Sequence, residues 1–325
     1  MALIGYHCSH EQFAPSALVG WAQLAERAGF GAVKSSDHFH PWSERQGQSG
    51  FAWSWLGAAM QATTLPFGTI CAPGYRYHPA VIAQAAATLA EMFPRRFWLA
   101  LGSGEAINEA ITGMAWPDKA ERNARLRECA SIIRVLLAGE TVTHRGRVTV
   151  VEARLYTRPV APVPIYAAAV SEDTARFVGS WADGLLTTAG DKPDSVRKVV
   201  DAFREGGGEG KPVIFQAALS WASTEAEALS QALDQWSSGA IGGEVAWDLR
   251  RPQDFDVASL SVGEEEIRAV LPVSADLARH RAWISELLEL RPAELHLHQV
   301  GRNQAEFIEA FGRDVLPRLG QRAAA

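Results

Sequence analysis

FWLALGSGEAINE, Phe97–Glu109, is an apolar run of five residues followed at once by Gly102-Ser103-Gly104-Glu105. Glycines between a strand and a helix cradle phosphate in two familiar ways, and each leaves a signature. Neither is here. Ile107 stands where a GxGxxG turn needs its third glycine, and no Gly-Lys-Ser/Thr follows for a nucleoside triphosphate. What remains is a strand with polar side chains at its C-terminal end, beside glycines that let another molecule approach the backbone closely.

The same unit recurs on both sides of this stretch. Candidate strands read Leu3–Tyr6, Ala32–Ser35, Phe67–Cys71, Phe97–Leu101, Pro164–Ala168, Gly184–Thr187, Pro212–Leu219 and Glu294–His298. Amphipathic segments lie between them, among them Ser16–Ala28, Ala80–Met92, Lys119–Leu137, Asp173–Trp181, Ser195–Phe203 and Gln304–Leu316. Eight such units predict an α/β fold, a (β/α)8 TIM barrel with insertions, as a single domain over residues 1–325. Thr141–Tyr156 alternates as a hairpin insertion (HRGRVTVVEARLY). Ser237–Pro272, Gly-rich, acidic and without a clear period, reads as an irregular insertion near the barrel mouth. The alanines at 323–325 read as a frayed end.

Composition narrows the partners. A chain of 325 residues, 47% hydrophobic and 21% charged, can bury one large core. A formal net charge of -6 and a pI near 5.9 offer no basic stripe for nucleic acid, so a small-molecule substrate is expected. The apolar start lacks a basic flank and a long apolar core, and no stretch approaches membrane-spanning length. Three widely spaced cysteines, Cys8, Cys71 and Cys129, fit neither a disulfide framework nor a zinc cluster. A cytoplasmic protein with no membrane partner is the expectation.

In a TIM barrel the loops after the strands converge on one face, so polar residues just beyond strand ends are the candidates for chemistry. They form a set: Ser9-His10-Glu11-Gln12, Asp37-His38-Phe39-His40-Pro41-Trp42, Ser103-Gly104-Glu105 with Asn108, Val170-Ser171 and Thr187-Thr188. An imidazole at His38 suits a general base near neutral pH, although a surface histidine satisfied by Asp37 reads the same. Glu105, near a helix start, could equally be an ordinary N-terminal acidic residue. Thr69-Ile70-Cys71 could flank a planar ring or simply be buried strand. Eleven tryptophans are many; Trp42, beside the His38 segment, reads as pocket, and Trp53, Trp55, Trp98 and Trp181 read as packing. His38-Phe39-His40 and His296-Leu297-His298 each set two imidazoles on one strand face, as metal-dependent hydrolases on barrels do. The fifth and sixth strands, however, end in Ala168, Val170 and Thr188, which are poor ligands, so no catalytic metal is expected.

SSDHFHPW (Ser35–Trp42), RYHPAVIAQAAATL (Arg76–Leu89) and LGSGEAINE (Leu101–Glu109) together resemble the luciferase-like flavoprotein family. EQFAP, WADGLLTT and FIEAFGRDVLPRL extend the match over nearly the whole chain, and the pattern is similar to the coenzyme F420-dependent glucose-6-phosphate dehydrogenase branch. The resemblance implies His38 as catalytic base, Glu105 as the acid beside the ring system, and Glu11 and Trp42 as residues orienting His38 and substrate. It implies cofactor contacts from Asp37, Ser103, Gly104, Asn108 and the Ala168-Ala169-Val170-Ser171 turn. Thr69-Ile70-Cys71 would buttress the ring through a non-proline cis peptide or bulge at Thr69-Ile70. Thr188 and Lys192 would face substrate.

Departures shape the functional expectation. Val170-Ser171 replaces the Gly-Gly pair of the sugar-phosphate dehydrogenases, and their phosphate-holding lysine aligns near Gly190-Asp191-Lys192, so either Lys192 is displaced or an acidic residue replaces the cation. The pattern also resembles a side branch that uses FMN. The expectation is therefore an FMN-dependent oxidoreductase, a monooxygenase of a small organic substrate served by a separate flavin reductase. The alternative is a coenzyme F420-dependent dehydrogenase of a sugar phosphate or other alcohol. A homodimer is implied by the resemblance alone.

Overall fold

The computed structural model describes residues 2–190, 192–242 and 245–320; the alanines at 323–325 lie outside them. In chain order the barrel strands and their helices begin with β1 (Leu3–Cys8), α1 (Pro15–Arg27), β2 (Ala32–Ser35), α2 (Ala52–Ala62), β3 (Phe67–Cys71), α3 (Pro79–Met92) and β4 (Phe97–Leu101). A short α4 (Ala106–Glu109) and a long α5 (Lys119–Leu137) lead to the hairpin β5 (Val142–Arg145) and β6 (Thr149–Ala153). Then come β7 (Ile165–Ala168), α6 (Glu172–Gly179), β8 (Gly184–Ala189), α7 (Pro193–Phe203), β9 (Val213–Trp221) and α8 (Glu225–Trp236). Three short helices follow, α9 (Val245–Asp248), α10 (Pro252–Ala258) and α11 (Glu264–Val270). The chain ends through β10 (Val273–Ser274), α12 (Leu277–Glu289), β11 (Glu294–Gln299) and α13 (Gln304–Asp314).

Eight parallel strands pair in the order β9-β11-β1-β2-β3-β4-β7-β8, and β8 pairs back onto β9, closing the (β/α)8 TIM barrel. Each predicted strand is present. β1, β8, β9 and β11 run one or two residues further at their C-terminal ends than apolarity suggested, because His7, Thr188, Ser220 and Gln299 continue the ladders. The hairpin is antiparallel as expected. The 237–272 segment differs from its reading as irregular: it is built of the short helices α9 to α11, too brief to show a helical period in sequence. Its Asp256 pairs with Arg45 at 3.3 Å, which sets α10 against the loop after β2 at the mouth.

Alternation along each strand divides the side chains into two layers. Ile4, Tyr6, Val33, Phe67, Leu99, Ile165, Leu185, Phe215 and Leu295 face outward and join the helices in the main core. Inside the barrel Trp98, Ala100, Tyr166, Leu186 and Ile214 form a smaller apolar cluster. The helices are set by local signals: Pro15 and Pro79 at first-turn positions, Asp118 accepting from the Glu121 amide, and Thr224 accepting from the Glu227 amide. All three cysteines are buried free thiols. Among the described residues no helix is long and apolar enough to cross a membrane.

Candidate active site

The site forms where the loops after β1, β2 and β4 meet. Glu11, 3% exposed, receives Ser9 Oγ and Ser36 Oγ on Oε2, each at 2.8 Å, leaving Oε1 for His38 Nδ1 at 2.7 Å. A carboxylate on Nδ1 keeps the proton there and turns Nε2 outward as the reactive nitrogen. Nε2 faces Glu105 Oε2 across 3.7 Å, beyond hydrogen-bond range, so the two groups bound a gap. Ser49 Oγ donates to the His38 carbonyl at 2.7 Å, and the Trp42 indole stands edge-on to the imidazole at 5.0 Å. Phe255 of α10 in turn backs Trp42 at 5.3 Å.

Asn108 ties this side of the mouth together. Its Nδ2 donates to Glu105 Oε2 at 3.2 Å, and its Oδ1 accepts the Phe39 amide at 2.8 Å and the His40 amide at 3.3 Å. His40 is thereby turned away from the gap, with Nδ1 donating to the Ile107 carbonyl at 2.7 Å.

The ionisation states follow from burial and partners. For Glu11, burial works against the anion, but the charge and contact of His38 and the Ser36 hydroxyl outweigh it and hold the carboxyl below its usual range. Burial works against the imidazolium of His38, and the Glu11 and Glu105 carboxylates overcome it, so His38 titrates above its ordinary value. Burial raises Glu105, against the pull of His38 and Asn108. The site therefore sets a carboxyl held low behind an imidazole, and a carboxyl shifted upward in front of it.

Not every candidate meets the gap with its side chain. The Asp37 carboxylate has no exposure; it lies against Arg76 Nη2 at 3.5 Å and accepts the Tyr77 hydroxyl at 3.1 Å. Thr69 and Cys71 face the outer layer, where Thr69 accepts Ser35 Oγ at 3.0 Å; only Ile70 points into the barrel. β3 pairs with β4 without a break from Phe67 to Cys71, and the described residues contain no cis peptide bond. The cis or bulged bond expected at Thr69-Ile70 is thus corrected to regular strand.

A shelf for a flat ring does exist. Gly102 lies between Ile70 and Ala168, whose Cδ1 and Cβ would each meet a Cβ built on it at 3.8 Å, an ordinary contact, so three neighbouring strands present an apolar surface free of polar side chains. Gly104 adopts φ +82°, and a Cβ there would crowd Glu109 Cγ at 3.0 Å, so this turn requires glycine. Ser103 is part-exposed on the same turn. Beyond the shelf Ala169 is buried, Val170 is 49% exposed, and Ser171 accepts Lys119 Nζ at 3.2 Å and donates to Thr174 at 3.0 Å. Phe39 adds a second exposed apolar surface at 51%. Thr188 is exposed on the inner face of β8, and Lys192 is exposed immediately before α7.

Sequence reasoning missed the polar layer beneath the gap. Lys34, His7, Gln216 and His298 face one another inside the barrel, with Lys34 Nζ donating to Gln216 Oε1 at 2.5 Å and the two imidazoles 4.4 Å apart. A lysine at an inward position of a short buried strand was the available signal. Missed as well was the buried trio of Arg76, Asp37 and Glu109, in which one guanidinium serves two carboxylates.

Comparison with known proteins places the chain among relatives of this geometry. The sequence profile described as luciferase-like monooxygenase matches residues 3–296. The F420-dependent glucose-6-phosphate dehydrogenase of Beutenbergia cavernae is 36% identical over 99% of this chain and 98% of its own length. That of Microbacterium testaceum is 35% identical over 98% of each. Among solved structures, an F420-dependent secondary alcohol dehydrogenase in complex with an F420-acetone adduct superposes with a TM-score of 0.89 at 29% identity, covering 98% of this chain and 99% of the other. The long-chain alkane monooxygenase LadA, at 14% identity and a TM-score of 0.75 over 99% of this chain and 92% of its own, shares the fold.

Proposed function

The chain belongs to the luciferase-like monooxygenase family of flavin- and deazaflavin-dependent oxidoreductases, and from that premise we propose that it oxidises a secondary alcohol with coenzyme F420 as hydride acceptor. The observation that carries this reading is the His38 Nε2 atom, backed by Glu11 through Nδ1 and facing a gap bounded by Glu105. A hydroxyl in that gap meets a base of fixed tautomer. The relatives at 35% and 36% identity are named as F420-dependent glucose-6-phosphate dehydrogenases, whereas the FMN monooxygenase expectation is supported by family and fold alone.

The residues present fit a planar cofactor: the Ile70, Gly102 and Ala168 shelf takes its face, and Asn108, Ser103 and the Gly104 turn take its polar edge. Coenzyme F420, when bound, supplies the hydride acceptor. His38 Nε2 accepts the proton of the substrate hydroxyl, and the resulting imidazolium is stabilised between Glu11 and Glu105. Burial shifts Glu105 upward, so it takes up a proton more readily than a free carboxyl. Trp42 closes one side of the gap against the His38 ring and limits the width of the carbinol it admits.

Fluorescence titration of cofactor-stripped protein with coenzyme F420 and with FMN, followed by anaerobic turnover of propan-2-ol and glucose 6-phosphate, tests the reading. Binding of coenzyme F420 with reduction by the simple alcohol is expected. Binding of FMN alone would overturn it, and turnover of the sugar phosphate alone would move the substrate to that class, with Lys192→Ala then the variant to examine.

A further inference from the structure

Beneath the Glu11–His38 pair, the barrel holds a buried ammonium. Lys34 lies two residues before Ser36, so by strand alternation it occupies the same inner face one layer deeper, and Ser36 is the residue whose hydroxyl holds Glu11. Lys34 pairs in register with His7 on β1, and its Nζ reaches across the barrel to Gln216 on β9. It is 1% exposed, so a ligand entering the mouth does not touch it. Whatever Lys34 does, it does through its neighbours.

Those neighbours leave one strong charge for it to act on. On β1 the His7 ring stacks near His298 and is held neutral by burial and by Lys34. On β11 His298, whose Nε2 donates to Gln12 Oε1 at 3.3 Å, is pushed down to about 3 by burial, and His296, a layer further down, is engaged with Glu294 at 2.7 Å. β3 presents only Gly68 and Ile70 on its inner face. β9 presents the neutral amide of Gln216. The carboxylate whose charge reaches Lys34 is Glu11, held one layer above it by the Ser36 hydroxyl, with His38 Nδ1 on its Oε1.

We propose that Lys34 is a positioning residue of the proton-transfer site: its ammonium, anchored by Gln216 beneath Glu11, offsets part of the field with which Glu11 holds His38 protonated. One carboxylate thus faces two cations. Burial pushes Lys34 down to about 7, with Glu11 opposing the shift, which keeps its charge responsive in the range where His38 works. Without Lys34, the full charge of Glu11 would fall on His38 and hold its proton to higher pH, leaving less free base near neutrality.

The test is an NMR titration of the His38 imidazole in cofactor-free wild type, Lys34→Met and Lys34→Arg. Loss of the charge should raise the His38 titration by about half a pH unit, and Lys34→Arg should restore most of it. An unmoved His38 in folded Lys34→Met overturns the proposal. Should Lys34→Met fail to fold, the same coupling is read from the other end: in Glu11→Gln the Lys34 side-chain signals should titrate at lower pH than in wild type. No change there would equally overturn it. The kinetic consequence rests on the dehydrogenase reading: with coenzyme F420 and alcohol, the acid limb of kcat/KM moves upward in Lys34→Met. A shifted His38 signal without alcohol turnover in any protein would leave the coupling standing and remove the dehydrogenase.

Discussion

The two ends of the barrel interior are built on opposite rules. At the N-terminal end His296, Trp98 and Tyr166 fill the cross-section ring against ring, at 6.0 and 5.4 Å between neighbours. They fit only because Gly5, Gly68 and Gly184 stand opposite or beside them; a Cβ at any of these would run into a ring. Glu294 serves two of the rings there, accepting Trp98 Nε1 at 3.2 Å and pairing with His296 Nε2 at 2.7 Å. At the C-terminal end, His38 Nε2 and Glu105 stand 3.7 Å apart, both part-exposed, with Glu11 behind the imidazole. The lower layer is packed for stability, and the upper one leaves polar atoms at distances that only a bound molecule completes.

That contrast breaks if changes at the two ends have the same consequence. His38→Ala should have the largest effect, lowering kcat/KM by ~10^3-fold, which is about 4 kcal/mol at the barrier, with Tm within a few degrees of wild type. A Tm loss on the scale of a core deletion would show His38 to be structural. Trp98→Ala should do the reverse. Removing the indole between two rings should cost about 3 to 4 kcal/mol of stability by chemical denaturation, with residual kcat near wild type in the fraction that folds. Gly104→Ala comes next: a Cβ at φ +82° and against Glu109 should cost roughly 1 to 2 kcal/mol and weaken cofactor binding more than it changes kcat. Equal cofactor affinity in wild type and variant would detach this turn from the ring shelf.

The eight strands were readable because each is a short apolar run ended by turn residues, and closure into a barrel needs only that the unit repeat. Glu11, His38, Trp42 and Glu105 could be listed because barrel geometry brings strand ends together, although nothing in the residues alone says that Glu11 rather than Asp37 reaches His38. Asp37, adjacent in sequence, turns instead to Arg76 and Tyr77, which lie some forty positions downstream and carry no local signal toward it. The polar floor of the site stayed hidden for a similar reason. Lys34, Gln216 and His298 come from three strands, and only the register of the closed sheet makes them one cluster. The short helices α9 to α11 were illegible because helices of four to seven residues complete too few turns to impose a period.

The smallest effect tests how far the contrast extends into the mouth's own supports. Arg76 places Nε 3.6 Å from Glu109, whose carboxylate also accepts the Arg76 amide at 3.0 Å, while the same guanidinium faces Asp37. Burial dominates over this shared cation, and Glu109 is pushed up to about 7. A carboxyl whose folded value is raised contributes stability that is complete below its unfolded value of about 4.3 and is lost as pH rises through 7. His38, also raised, adds to the same alkaline loss, whereas Glu11, held low, contributes stability that disappears only as pH falls below the carboxylate range. His7 and His298, held low by burial, act the other way and lose stability as pH falls, so the share of Glu109 is read from a variant and not from the position of the stability maximum. Glu109→Gln keeps an acceptor for the Arg76 amide and removes the titration, so Tm should fall less steeply between pH 5 and 8 than in wild type, by a few degrees at most. Parallel Tm profiles in the two proteins would mean that Arg76 satisfies both carboxylates as anions, and that the mouth is as fully compensated as the floor.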